Sequence, residues 1–319
     1  MYKMGQTSIN LTRCLFRYQN TSCTKCQEIC PKQAISLRQV NPELCDSCGL
    51  CTAICPVGAI ETRCSYEKKL NACRQSQEPL LLCQKALPER GFACLGFMDR
   101  RLLWAMASGR QLEIDISRCE ACNPQVYAWL SAELDACNAA LREADQPQIT
   151  YVHVEPKAPE ERTVSRRNFF RELFGAAVQT AEVIARPLEE GAPVFFDEAQ
   201  WIRAQQPVQS RLFPQLQLVG DCNGCGMCGM ICPEKAITVE QSETRLALHF
   251  DPFACKACGL CSAHCAKEAL TMEPQGSQPD GFELVVELPR CKSCGKPFRP
   301  IGDADVCLEC HQKQGMFGS

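Results

Sequence analysis

The sequence predicts an α+β protein in which two (βαβ)2 units flank a small α/β domain, with a two-knuckle module at the C-terminal end. Three observations predict it. A cysteine-rich unit of about sixty residues occurs twice, at about 8–66 and 214–275. The segment between the copies reads β-α-β-α-β. The last thirty residues hold two further C-x2-C pairs.

The repeat is visible in the letters. "CTKCQEICPKQAISL" from Cys23 is similar to "CGMCGMICPEKAITV" from Cys225, and "NPELCDSCGLCTAICPVGAI" from Asn41 is similar to "DPFACKACGLCSAHCAKEAL" from Asp251. Each half reads as strand, cysteine loop, short helix and strand. Ile35–Val40, Ile60–Ser65, Ile237–Glu240 and Leu246–Phe250 are the clearer strand candidates.

Three of the four loops have the spacing C-x2-C-x2-C-x3-C, the first has C-x8-C-x2-C-x3-C, and in three of four cases proline follows. Three thiolates of a tight loop bind one [4Fe–4S] cube, and the fourth cysteine points away to ligate the neighbouring cube. By that rule Cys14, Cys23, Cys26 and Cys55 form one set, and Cys30, Cys45, Cys48 and Cys51 the next. In the second unit the sets are Cys222, Cys225, Cys228 and Cys265, and Cys232, Cys255, Cys258 and Cys261. Both units resemble bacterial-type two-cubane ferredoxins along their whole length. The resemblance implies ferredoxin-like dicluster domains at 1–70 and 214–280, carrying four [4Fe–4S] clusters. Two positions depart from the pattern. Eight residues separate Cys14 from Cys23, and Cys265 is followed by Ala266. Structural zinc is the competing reading, but zinc sites rarely use this paired form.

Between the units, "PLLLC" ends in Cys83, Asp99–Ser108 is helix-like, and "LEIDI" at Leu112–Ile116 reads as a strand. Asn123–Glu143 places Val126, Leu130, Leu134, Cys137 and Leu141 on one helical face, and "ITYVHVE" at Ile149–Glu155 is a last strand. A parallel α/β domain of 75–155 is expected. Cys83, Cys94, Cys119 and Cys122 fall at the carboxyl ends of its strands or in the loops beyond, the edge where ligands gather in such sheets. A [2Fe–2S] or [4Fe–4S] cluster is one reading of these four, and a zinc ion or four reduced thiols are the others. Cys64 and Cys73 compete as ligands, whereas Cys137 belongs to the apolar face. The order cysteine, C-x-G with an apolar helix, strand, then C-x2-C resembles the small iron–sulfur (delta) subunit of methanogen hydrogenase–heterodisulfide reductase complexes. That resemblance covers about seventy residues and implies an electron relay between a hydrogenase and a flavoprotein.

Residues 156–213 read as a linker. It opens on the charged "EPKAPEER", and an amphipathic helix is expected from Ser165 to Pro187, with Phe170, Leu173, Phe174, Ala177, Val178, Ala181 and Ile184 as its stripe. "SRRNFF" resembles a twin-arginine signal, but it lies far inside the chain, and Glu172 and Glu182 interrupt the apolar segment after it. The helix is expected to be a linker or a docking element for a partner. Residues 188–213 are a proline-containing connector. At 286–319, Cys291, Cys294, Cys307 and Cys310 form C-x2-C-x12-C-x2-C, the pattern of a zinc ribbon. Rubredoxin iron fits less well, given the short spacer and no glycine after Cys310.

Composition narrows the function. The chain has 27 cysteines in 319 residues and a formal net charge of −3. Each cube with four thiolates adds about −2, so the loaded protein approaches roughly −11, which disfavours nucleic acid and suits a basic face on a redox partner. No apolar signal region opens the sequence and no run of 18 apolar residues occurs, so a cytoplasmic protein without a membrane span is expected, in an anaerobic or microaerobic host. No dinucleotide-binding fingerprint is read, since the one G-x-G-x-x-G string, Gly224–Gly229, is a cysteine loop; no Walker A or HExxH sequence is present, and the four histidines do not cluster in the sequence. The expected function is one-electron transfer within a low-potential oxidoreductase complex. The ferredoxin and delta-subunit resemblances imply a hydrogenase, a formate dehydrogenase or another molybdenum or flavin oxidoreductase as partner. Two other readings stay open. One is reduction of a disulfide or sulfur species at the middle cysteines, and the other is a redox-responsive assembly factor.

Overall fold

A computed structural model describes residues 7–18, 22–155, 196–207, 210–275, 283–302 and 304–316. It is a mixed helix-and-strand structure with small sheets. The expected helix at Ser165–Pro187 lies outside the described residues.

The chain begins with strand β1 (Thr7–Ile9), a 3-10 turn at Leu15–Arg17 and helix α1 (Lys25–Glu28). Strands β2 (Ile35–Ser36) and β3 (Gln39–Val40) form an antiparallel hairpin. This corrects the single strand expected at Ile35–Val40. Leu37 (φ 46°) and Arg38 (φ 62°) take the left-handed conformation that a two-residue hairpin turn requires. Helix α2 (Leu50–Ile54) and strand β4 (Ile60–Thr62) follow, and β4 pairs antiparallel with β1, Thr7 opposite Thr62.

Helix α3 (Tyr66–Gln75) leads into β5 (Leu80–Leu81), α4 (Arg100–Ala107), β6 (Glu113–Ile114), α5 (Cys119–Cys122), α6 (Pro124–Glu143) and β7 (Thr150–Tyr151). Strands β5, β6 and β7 lie side by side and parallel, in that order. Asp99 caps α4 by accepting from the backbone N–H groups of Arg101 and Leu102 at 3.0 and 2.8 Å. Leu102 to Ala107 are all buried, so α4 is the centre of the main core. On α6, capped by Asn123, the residues Val126, Leu130, Leu134, Cys137 and Leu141 are buried against it.

Residues 188–213 are more than a connector. Asp197 caps helix α7 (Glu198–Ala204) by accepting from the Gln200 N–H at 2.9 Å, and Trp201, Ile202 and Phe213 enter the main core. Then β8 (Gln215–Leu218), α8 (Met227–Ile231), β9 (Ile237–Gln241), β10 (Arg245–Phe250), α9 (Leu260–Ala263) and β11 (Leu270–Glu273) repeat the order of the first seventy residues. Strands β8 and β11 pair antiparallel, as β1 and β4 do. Strand β12 (Glu283–Glu287) adds a third, antiparallel strand outside β10. Helix α10 (Leu308–Met316) follows the last cysteine-rich loops. Among the described residues no helix is long and apolar enough to cross a membrane.

Candidate functional site

In the first repeat each short helix carries one cysteine, and a second follows one turn on and faces a different cavity. Cys26 on α1 and Cys30 just beyond it are divided in this way, as are Cys51 on α2 and Cys55 beyond that. Cys14, Cys23, Cys26 and Cys55 line one apolar cavity with Ile9, Leu15 and Val57; we name it site A. Cys30, Cys45, Cys48 and Cys51 line a second with Ile35, Val40 and Tyr66, site B. In the second unit Cys232, Cys255, Cys258 and Cys261 line site C with Ile237, Phe250 and Met272. Cys222, Cys225, Cys228 and Cys265 form site D. Burial raises the Cys222 thiol and its neighbours Cys225 and Cys265 raise it further, while Cys228 is pushed up to about 12 by burial and then by Cys222 and Cys225.

One feature recurs at all four sites. The sulfur of the fourth cysteine in each motif accepts a backbone N–H from an alanine four residues on. The pairs are Ala34 to Cys30 (3.3 Å), Ala59 to Cys55 (3.2 Å), Ala236 to Cys232 (3.2 Å) and Ala269 to Cys265 (3.3 Å). All four alanines are buried. Cys265, which lacks the following proline, keeps the same contact. Hydrogen bonds to sulfur are one of the terms that set a cluster's potential.

Cys83, Cys94, Cys119 and Cys122 also come together, as site M. Burial raises Cys119 to about 12, and Cys94, Cys83 and Cys122 add to it. The ammonium of Lys85 donates to the Cys122 sulfur at 2.8 Å. Cys73 instead donates to the Leu80 carbonyl at 3.4 Å, and Cys137 is fully enclosed in the core.

Several of the buried thiols are raised for one reason. Burial first, and neighbouring thiols second, lift Cys26 to about 11 and Cys51 to about 12. At site C, burial lifts Cys255 to about 12 and Cys258 to about 11. Half-dry sulfurs that repel one another carry their charge only around a cationic core, and such a core is what an iron–sulfur cube supplies. The donor set therefore fits the cluster that the spacing implies.

The C-terminal quartet differs in scale. The sulfurs of Cys291, Cys294, Cys307 and Cys310 all lie within 4.8 Å of one another, and Cys294 and Cys307 stand 3.8 Å apart. A tetrahedral ion with metal–sulfur bonds of about 2.3 Å needs sulfurs about 3.8 Å apart. Among the described residues no other three candidate ligands gather as closely. The Cys307 N–H, 3.3 Å from the Cys291 sulfur, holds that thiol down at about 6.

A buried ionic junction joins the parts, and no motif announces it. Glu198 on α7 accepts from Lys256 at 2.6 Å and pairs with Arg101 at 3.4 Å. Arg101 on α4 donates to the carbonyls of Cys255 and Phe253, and Lys256 follows Cys255 in the site C loop. Arg101, Glu198 and Lys256 are ordinary charged letters in the sequence, and only their burial sets them apart.

Residues 20–66 match the family described as "LdpA Fe-S cluster-binding domain", and residues 221–269 match the "4Fe-4S dicluster domain" family. The chain thus carries iron–sulfur-binding, ferredoxin-like domains. The first match begins after Cys14, so it takes in seven of the eight cysteines of sites A and B. No curated protein matches the chain.

Proposed function

We propose that this chain passes single electrons through four [4Fe–4S] clusters, held at sites A to D by two dicluster domains at 1–70 and 214–280. These domains flank an α/β domain at 75–155, whose core α7 of the following 156–213 segment joins, and a structural zinc ribbon occupies 286–319. The observation that carries the reading is the division of cysteines on α1 and α2. Each helix gives one thiol to site A and one to site B, which supports two cubes sharing one fold. When bound, such clusters supply one-electron redox chemistry at potentials set by thiolate ligation, hydrogen bonds to sulfur and burial. The chain's own part is to hold the thiolates, donate Ala34, Ala59, Ala236 and Ala269 N–H groups to sulfur, and line the cavities with apolar side chains that exclude water. Site M is proposed to hold a further [2Fe–2S] or [4Fe–4S] cluster. The partner is a low-potential oxidoreductase of the hydrogenase, formate dehydrogenase or flavin class, met in the cytoplasm of an anaerobic host.

Metal and sulfide analysis of anaerobically purified protein, with EPR-monitored redox titration, tests this. About sixteen iron atoms in the four cubes, any site M iron beyond that, and about one zinc are expected per chain. Iron well below sixteen overturns the four-cubane reading. One observation favours a second reading. Cys122 is exposed and paired with Lys85, the setting of a reactive thiolate. Reductase activity toward a disulfide or polysulfide that Cys122→Ser abolishes would establish it.

A further inference from the structure

In the sequence, site M lies between the two repeats and would be a bridge between them. In space it does not. Gly96, two residues after Cys94, packs on the site B loop: a Cβ there would stand 2.5 Å from the Cys48 carbonyl oxygen. Gly49 in turn is pressed against Phe97, and a Cβ on it would lie 2.8 Å from the Phe97 nitrogen. Side chains at either glycine would drive the two cysteine loops apart. The Phe97 ring stacks on Tyr66 at 3.9 Å, and Tyr66 lines site B. Site M is therefore seated on site B.

The repeats meet each other elsewhere. Cys55 and Val57 from the site A wall are buried in one apolar cluster with Leu260 of α9, and Cys258 and Ile231 pack on its margin. Arg13 and Glu234 close the seam with an ion pair at 2.8 Å. Sites A and C thus face each other across an apolar contact. Site D adjoins C on the same unit, where Cys261 of C helps raise Cys228 of D, and the C-terminal module covers it. Arg299 Nε donates to the Cys225 carbonyl at 2.5 Å, and Asn223 Nδ2 to the Gly302 carbonyl at 3.0 Å. The middle domain does reach the second unit, but through Arg101 on α4.

We infer that the five cysteine sites form one unbranched series, M–B–A–C–D, with site M as its solvent-facing end and the C-terminal module seated on the other. The inference rests on the four-cluster reading and deepens it. Each transfer along the series oxidises one cluster by one electron and reduces the next by one. At site M the exchange is with an external one-electron carrier, which meets the exposed Cys122 and the Lys85 ammonium on its sulfur.

The test is magnetic. Full-length protein, reduced with dithionite, is compared by EPR relaxation and pulsed dipolar measurements with Cys119→Ser/Cys122→Ser, which empties site M. Cys45→Ser marks the site B signal and Cys258→Ser the site C signal. Emptying M is expected to relieve spin coupling of the site B signal alone, leaving those of A, C and D unchanged. A milder variant, Gly96→Ala, is expected to weaken the M–B coupling with the full iron content retained. Relief of coupling at sites B and C together would restore the bridge and overturn the inference. So would a double variant with the wild-type spectrum and iron content. Wild-type iron well below sixteen would instead remove the four-cluster reading itself.

Discussion

The guanidinium of Arg101 donates to the carbonyl oxygen of Cys255 at 3.0 Å, from a helix in the main core to a cysteine loop more than 150 positions along the chain. That contact holds only while Glu198 balances two enclosed cations, Arg101 and Lys256. Removing one member of a buried charge network leaves the others uncompensated, at a cost of about 3–5 kcal/mol. Glu198→Gln is therefore expected to loosen the seat of site C. Loss of visible cluster absorbance in denaturant should accelerate by roughly two to four orders of magnitude if the transition state lacks the junction. Bleaching at the wild-type rate would show that Glu198 does not support the loop.

Asp99 makes the same junction pH-sensitive. Burial first, and the Glu198 carboxylate second, raise its pKa to about 7, with Arg101 opposing them. The sign comes from proton counting. Between about pH 4 and 7 the folded chain retains a proton on Asp99 that the unfolded chain has released, so this contribution to stability is fully present at low pH and is lost as pH rises through 7. The slope should be on the order of 1 kcal/mol per pH unit near pH 6. Asp99→Asn keeps a good helix cap and removes the titration. Wild-type protein is expected to bleach more slowly in denaturant at pH 6 than at pH 8, and the variant equally at both. A variant with the wild-type pH dependence would assign the effect to another group.

Much of the site geometry was legible because cysteine spacing is a local code. The loops at Cys45–Cys51 and Cys255–Cys261 each put three cysteines on one cavity, B or C, and the neighbouring motif adds the fourth. The illegible parts depend on distant contacts. Leu37 and Arg38 make a left-handed turn that neither glycine nor asparagine signals, so one apparent strand became a hairpin. The prolines of 188–213 hid α7, although Asp197 is an ordinary cap signal. Strand β12 forms because β10 offers a free edge, which the letters of 283–287 do not reveal. The place of site M is the largest gap. It is set by Gly96 and Gly49, where two backbones touch, and a glycine's need for close approach is visible only when its neighbour is known.

The C-terminal quartet should release its metal with acid. Thiolates must lose their protons to bind metal, so affinity falls as pH falls. The Cys307 N–H lowers Cys291 to about 6, while at Cys310 the lowering by Ser293 is outweighed by the neighbouring thiols, which raise it to about 12. Zinc is expected to stay bound at pH 8 and to pass progressively to a chromophoric chelator as the pH falls. Cys294→Ser should remove about one zinc per chain and leave the iron content unchanged. Iron lost in step with zinc would show that the quartet belongs to a cluster instead.

The recurring alanine offers the most selective perturbation. Ala59 is buried against site A, and its N–H points at the Cys55 sulfur at 3.2 Å. A larger side chain has nowhere to go in a packed interior, and such insertions cost about 1–3 kcal/mol. The backbone of residue 59 must then move, and the donor moves with it. Ala59→Val is expected to shift the midpoint potential of one cube to a more negative value, since the sulfur loses a hydrogen bond that stabilises the reduced, more negative state. The cube that Cys14→Ser perturbs should be the same one, and the other EPR signals should keep their potentials. A uniform shift of all signals would mean that the alanine acts through the fold as a whole. An unchanged potential with faster iron release would mean that it acts through packing alone.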